Sequence, residues 1–114
     1  MKTQIIKSER LNEYCVSAVH ESGLKVLICP KPDFASSYAL FGTNYGSIDT
    51  KFRIKGCKNF TEIPEGTAHF LEHKLFESEE GDAFERFSAT GGYANAYTSF
   101  DRTCYLFSCA GHFA

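Results

Sequence analysis

The chain has 114 residues, a length that suits one ordinary domain, and its 43% apolar and 15% aromatic residues are typical of a globular protein rather than a disordered one. A net charge of −2 with no basic patch argues against nucleic acid as a partner. The start lacks the apolar h-region of a signal peptide, and no apolar run approaches the roughly eighteen residues of a membrane span. We therefore expect a cytoplasmic protein with no membrane partner.

The cysteines indicate neither a disulfide framework nor a cysteine zinc site. They are odd in number and form no C-x-x-C pair. The five are Cys15, Cys29, Cys57, Cys104 and Cys109. We expect free thiols in a reducing cytoplasm.

The first elements along the chain are strands. Residues 14–20 and 24–29 alternate loosely around the turn 21–23, which predicts a β-hairpin. Residues 37–45 form a third strand candidate, in which Gly42 and Gly46 are possible bulges or points of close backbone approach.

Helices come next. Pro64 and Gly66 break the preceding segment, Thr67 is a possible N-cap, and a helix is expected over residues 68–76, with Phe70 and Leu71 on its buried side.

A second helix is expected over residues 82–89, where Phe84 and Phe87 share one face. The glycine pair at residues 91–92 ends it, and residues 93–109 read as two strands around a turn at residues 99–102.

The chemical signal lies on the first helix. His69 and His73 are one turn apart there, so both imidazoles can bind one zinc ion. Glu72 projects from nearly the same face and can take a proton from water that the metal activates. This is the H-x-x-E-H pattern of inverzincins. The alternative is a helix that carries two surface histidines.

Two motifs in this order carry a family resemblance. Residues 66–73 (GTAHFLEH) and residues 91–101 (GGYANAYTSFD), separated by one helix, resemble the pitrilysin-type inverzincin metallopeptidases. That family includes insulysin and the mitochondrial and bacterial processing peptidases.

The resemblance implies an α+β fold with a mainly antiparallel sheet and helices packed on one face, a partial copy of a pitrilysin-type domain. It implies zinc as cofactor, with His69 and His73 as ligands and Glu72 as general base. Asn95, Ala96 and Tyr97 match the family's edge strand, which pairs with a peptide or unfolded protein substrate.

The third zinc ligand of that family is a Glu on a later helix, and the chain ends before it. We therefore expect residues 1–114 to be the N-terminal part of a longer zinc endopeptidase or processing peptidase, inactive alone. Glu77 is a poor substitute because eight residues of helix rise about 12 Å. Spacing does not exclude Glu79, Glu80 or Glu85.

The alternative function is a non-catalytic subunit or peptide-binding partner of an active peptidase, although the intact motif favours the enzyme. We also expect self-association or pairing with a homologous subunit, because an uncovered apolar face, with Phe107 and Phe113 as candidates, and an unpaired edge strand both promote association. His20 and His112 are not expected to be ligands.

Overall fold

The computed structural model describes residues 2–78 and 81–111. These residues form two compact units, the first ending at Ala35 and the second beginning at Ser36. Among the described helices, none is long and apolar enough to cross a membrane.

The first unit is an antiparallel sheet in the order β1-β2-β3, built from β1 (Lys2–Ser8), β2 (Glu13–Val19) and β3 (Lys25–Ile28). The β2–β3 hairpin was predicted, and Gly23 in its turn has φ +89°, a left-handed conformation that favours glycine. Strand β1 was not predicted. Its adjacent Ile5 and Ile6 break the alternation, and the strand is held by its full-length pairing with β2.

A disulfide joins Cys15 and Cys29 across this hairpin, so the expectation of free thiols is wrong for these two residues. The register sets Val16 opposite Ile28, which makes the two cysteines the next facing pair, with Cα atoms 4.2 Å apart. Disulfides are rare in a reducing cytoplasm. This bond and the cytoplasmic expectation therefore point to different compartments, and localisation stays a prediction.

The second unit contains a sheet, two helices and two short ladders. Its elements are β4 (Ser36–Thr43), β5 (Lys51–Phe52), β6 (Thr61–Glu62), α1 (Thr67–Phe76), β7 (Glu77–Ser78), β8 (Gly81–Asp82), α2 (Ala83–Ala89), β9 (Tyr93–Thr98) and β10 (Thr103–Ala110). The main sheet is antiparallel in the order β4-β10-β9, and β5–β6 and β7–β8 are two-residue ladders. Both helices contact β9. This confirms the predicted α+β class.

The core of this unit lies between the helices and one face of the sheet. Phe76 of α1 stacks on Phe84 of α2 with ring centroids 4.1 Å apart, and it also contacts Tyr105 of β10 at 5.7 Å. Phe87 packs on Phe107 at 5.1 Å. Tyr105 and Phe107 are two residues apart on β10 and so point to the same face. Both helices are therefore anchored on that face by aromatic contacts.

Helix α1 begins at Thr67, one residue before the predicted start. Gly66 occupies the N-cap position with φ +81°, and the Thr67 hydroxyl donates to the carbonyl oxygen of Pro64 at 2.6 Å. The predicted N-cap role of Thr67 is therefore wrong, because this threonine is already inside the helix.

The buried face of α1 also differs from the prediction. It consists of Ala68, Glu72 and Phe76, each four residues from the next. Phe70 is 63% exposed and Leu71 is 44% exposed, so the expectation that they form the buried side is wrong. Packing against β9 selects the face that carries the carboxylate rather than the more apolar one.

Helix α2 has the predicted ends, with its start shifted by one residue. Asp82 caps it, accepting a hydrogen bond from the amide of Phe84 at 2.8 Å. Gly91 follows the helix with φ +75°, and the amide of Gly92 donates back to the carbonyl oxygen of Phe87 at 2.9 Å. This is a glycine-terminated helix end.

Gly46 lies where two backbone segments touch. A Cβ atom added there would be 2.3 Å from the carbonyl oxygen of Phe100 and 2.5 Å from the amide nitrogen of Arg102. The prediction of close approach is confirmed for Gly46. At Gly42 the nearest atom to such a Cβ, Sγ of Cys104, is 3.6 Å away, an ordinary contact.

Candidate metal and catalytic site

The two histidines of α1 face one another. The Nε2 atoms of His69 and His73 are 3.1 Å apart, and the ring centroids are 4.8 Å apart. Two nitrogens bound to one tetrahedral zinc at 2.0–2.1 Å are separated by about 3.3 Å. The observed spacing therefore fits two neighbouring positions around a zinc ion.

A third ligand does not join this pair within the described residues, where no group of three His, Cys, Asp or Glu side chains is arranged to hold a metal. Glu77, one turn further along, instead forms an ion pair with Lys74. The hydrogen bond from Lys74 and its charge lower the pKa of Glu77. Glu79 and Glu80 lie outside the described residues.

Glu72 is the buried member of the motif, and its carboxylate has a specific donor. The hydroxyl of Thr98 on β9 donates to Glu72 Oε2 at 2.6 Å. Behind it, the hydroxyl of Thr103 donates to the carbonyl oxygen of Tyr45 at 2.8 Å and lies 3.5 Å from Thr98 Oγ1. Within the described part of the chain, no second donor reaches the Glu72 carboxylate. Sequence reasoning missed Thr98 although it lies inside the second motif.

Glu72 influences the pKa of a neighbouring core residue, Tyr105. Burial, and then the charge of Glu72, raise the pKa of Tyr105 on the neighbouring strand. Glu72 itself is 9% exposed, so most of its side chain is shielded from solvent.

Strand β9 lies at the edge of its sheet, beside α1. Within the described residues it pairs with β10 on one side and with no strand on the other. The amide of Ala96 donates to Oδ1 of Asn95 at 2.8 Å, so a side chain occupies one donor of this strand.

A cavity of about 390 Å³ brings part of the predicted set together. Its lining includes His69, Glu72 and His73 from α1 and Asn95 and Ala96 from β9. The helix motif and the edge strand thus share one concave surface.

Tyr97 is not part of that lining. Its side chain points to the opposite face of the sheet from its neighbours Ala96 and Thr98. There it faces Cys104, and the hydrogen bond between them raises the pKa of Tyr97.

The sequence has two further histidines, which are not expected to be ligands. His20 is exposed in the β2–β3 turn, where its Nδ1 lies 2.8 Å from the hydroxyl oxygen of Ser22. His112 lies outside the described residues.

Comparison with known proteins gives a consistent set of relatives. The family model for insulinase, peptidase family M16, matches residues 46–112, more than half of the chain. The uncharacterized zinc protease YmfH of Bacillus subtilis is 50% identical over 103 residues, which cover 90% of this chain and 24% of YmfH. A nardilysin-like protein of Arabidopsis thaliana is 40% identical over 62 residues, 48% of this chain and 6% of its own length.

A solved structure shows similarity to the same family. The crystal structure of an M16-like peptidase from Alicyclobacillus acidocaldarius superposes with a TM-score of 0.80 at 42% identity, covering 94% of this chain and 24% of the other. The chain thus spans about a quarter of the length of YmfH and of this peptidase.

Proposed function

Because this chain belongs to the insulinase family of peptidases, family M16, we propose that it carries part of the active site of a zinc-dependent endopeptidase or processing peptidase. The observation that supports this most directly is the 3.1 Å separation of the His69 and His73 Nε2 atoms, with the Glu72 carboxylate on the same helix. This spacing matches two ligand positions of a tetrahedral zinc site.

In this proposal His69 and His73 hold zinc, and the third ligand lies outside the described residues. Zinc bound there supplies Lewis-acid polarisation of a peptide carbonyl and lowers the pKa of water. Glu72 accepts a proton from the attacking water and returns it to the leaving amine, the two halves of general acid–base catalysis. Glu72 is buried against β9 and lines the same cavity as the histidines.

Strand β9 supplies the substrate surface in the same proposal. An extended peptide pairs with the unpaired edge of β9. The backbone hydrogen bonds of this pairing align the peptide and do not depend on its side chains. Asn95 and Ala96 lie at this edge and also line the cavity that contains the motif, whereas Tyr97 does not line it. For the Ala96 amide to pair with a substrate, the Asn95 side chain must release it.

A chimera tests the function. The segment of YmfH that matches this chain is replaced by the corresponding 103 residues, and hydrolysis of an unfolded protein and of a quenched fluorescent peptide is measured. We expect hydrolysis that a chelator abolishes and added zinc restores. The 114 residues alone should show little or none, since a two-histidine site lacks one of the three protein ligands of a usual catalytic zinc centre. A soluble, zinc-loaded chimera without activity, beside active YmfH, would refute the proposal.

The second candidate is a non-catalytic subunit or peptide-binding partner of an active peptidase. The unpaired edge of β9 supports it, because strand addition needs no metal. The two functions differ in one measurement. A binding partner holds an extended peptide equally well with and without zinc and leaves it uncut, whereas the peptidase turns it over only with zinc.

A further inference from the structure

We propose that Thr98 is the positioning residue for the Glu72 carboxylate, holding Oε2 so that Oε1 is the oxygen that accepts a proton. The inference rests on the proposed role of Glu72 as general base. It starts from the 2.6 Å hydrogen bond that joins β9 to α1 across 26 residues of sequence.

The helix alone does not fix this carboxylate. A glutamate side chain turns about three torsions, so α1 determines where Cβ of Glu72 lies but not how its oxygens are oriented. Thr98 is β-branched and therefore restricted at χ1. Its backbone is paired with β10, where it faces Thr103. The donor that reaches Glu72 is thus held by the sheet, independently of the helix.

The proton count gives this hydrogen bond its direction. A threonine hydroxyl has one proton to donate. The Tyr45 carbonyl oxygen can only accept, so Thr103, which is 1% exposed, commits its proton there. The Thr103 proton is therefore not available to the Thr98 hydroxyl oxygen, which lies 3.5 Å away. The Thr98 hydroxyl donates its own proton to Glu72 Oε2.

The consequence concerns the other oxygen of the carboxylate. Within residues 2–78 and 81–111, Oε1 of Glu72 accepts no hydrogen bond. Glu72 is one of the residues that line the cavity with His69 and His73. Fixing Oε2 on β9 therefore leaves Oε1 as the proton acceptor. Partners that orient the ligands of a metal site typically contribute about 10- to 100-fold to activity or metal affinity, and we expect an effect of this order for the partner of the base.

The kinetic test uses Thr98→Val and Thr98→Ser in the YmfH chimera. Valine keeps the shape and removes the hydroxyl, whereas serine keeps the hydroxyl and removes a methyl group. We expect Thr98→Val to lower kcat at least about 10-fold with KM and zinc content unchanged. Thr98→Ser should restore most of that loss. Thr90→Val is the matched control, because the Thr90 hydroxyl donates to the Phe87 carbonyl oxygen, away from Glu72.

A second measurement needs no activity. In the 114-residue chain, the shift in urea midpoint caused by Thr98→Val is compared with and without Glu72→Ala. We expect the shift to shrink strongly when Glu72 is absent, because the two side chains interact directly.

The outcomes separate this inference from the proposed function. Equal kcat for the valine and serine variants, or a midpoint shift unchanged by Glu72→Ala, would overturn the role of Thr98. An inactive chimera would instead remove the peptidase assignment, while the midpoint comparison still decides whether Thr98 holds the carboxylate.

Discussion

At the scale of single residues, the proposed metal ligands and the proposed base should respond differently to mutation. His69 and His73 are exposed and face each other, whereas Glu72 is buried and bonded to β9. Loss of a ligand and loss of the base should therefore be distinguishable by metal content.

We expect Glu72→Gln in the YmfH chimera to lose at least about 10²-fold in kcat while keeping its zinc, because glutamine preserves the shape of the side chain and removes its basicity. His69→Ala should lose the metal as well as the activity. Metal analysis after dialysis, alongside kcat, provides the check. Full activity of the glutamine variant would refute the role of Glu72.

Gly46 allows a second prediction at this scale. We expect Gly46→Ala to lower the free energy of unfolding by about 1–3 kcal/mol, the usual cost of overpacking, because its Cβ would collide with backbone atoms that cannot rotate away. Chemical denaturation of the 114-residue chain measures this. Gly42→Ala is the matched control, with ordinary contacts only. Equal stability of the two variants would contradict the close approach.

At the scale of elements, the Cys15–Cys29 bond is the clearest feature with a measurable consequence. It closes a loop over a separation of 14 residues in the β2–β3 hairpin. A cross-link over a loop of this length stabilises a fold by about 3 kcal/mol, chiefly by restricting the unfolded chain.

We therefore expect the unreduced, unfolded protein to expose three thiols to a thiol reagent, those of Cys57, Cys104 and Cys109. Reduction, or Cys15→Ser with Cys29→Ser, should lower the urea midpoint, whereas Cys57→Ser should leave it unchanged because that thiol is free and exposed. Five reactive thiols before reduction would support the free cysteines expected from the sequence.

Local sequence signals predicted the elements well where glycine, proline and alternation mark their ends. The β2–β3 hairpin, both helices and the β9–β10 pair are examples. The hairpin also contained a signal for the disulfide, since pairing residues 20 and 24 around the turn sets Cys15 opposite Cys29. The signal lies in the pairing register rather than in the spacing of the cysteines along the chain.

The predictions that were wrong or absent share a physical cause. Helical spacing shows which residues share a face, but it does not show which face packs on the sheet, so Phe70 and Leu71 were assigned to the wrong side. The contact of Thr98 with Glu72 depends on the placement of β9 beside α1. Neither is encoded within one element.

At the scale of the whole molecule, the described residues expose apolar side chains on α1 together with an unpaired strand edge. Phe70 and Leu75 are 63% and 60% exposed, and β9 has one free side. Exposed apolar clusters and open strand edges both promote association. The side chain of Asn95, which occupies the Ala96 amide, protects this edge in part.

We expect the 114-residue chain to self-associate in a concentration-dependent manner, measured by light scattering and sedimentation. Leu75→Lys should weaken the association by placing a charge on the apolar face of α1. Leu24→Lys, at an exposed leucine next to the β2–β3 turn, is the control. A monodisperse monomer of 12.8 kDa at high concentration would contradict this expectation.

The length of the turn between β9 and β10 affects the position of Thr98 beside Glu72. Its four residues, 99–102, set Thr98 opposite Thr103, and its backbone is bonded to the Gly46 loop through the Ser47 and Ile48 amides. Side chains alternate along a strand, so a register slip of one residue would carry Thr98 to the far face of the sheet. The length of this turn therefore determines whether Thr98 reaches Glu72, and in the proposed peptidase we expect insertions there to be as damaging as changes in the motif itself.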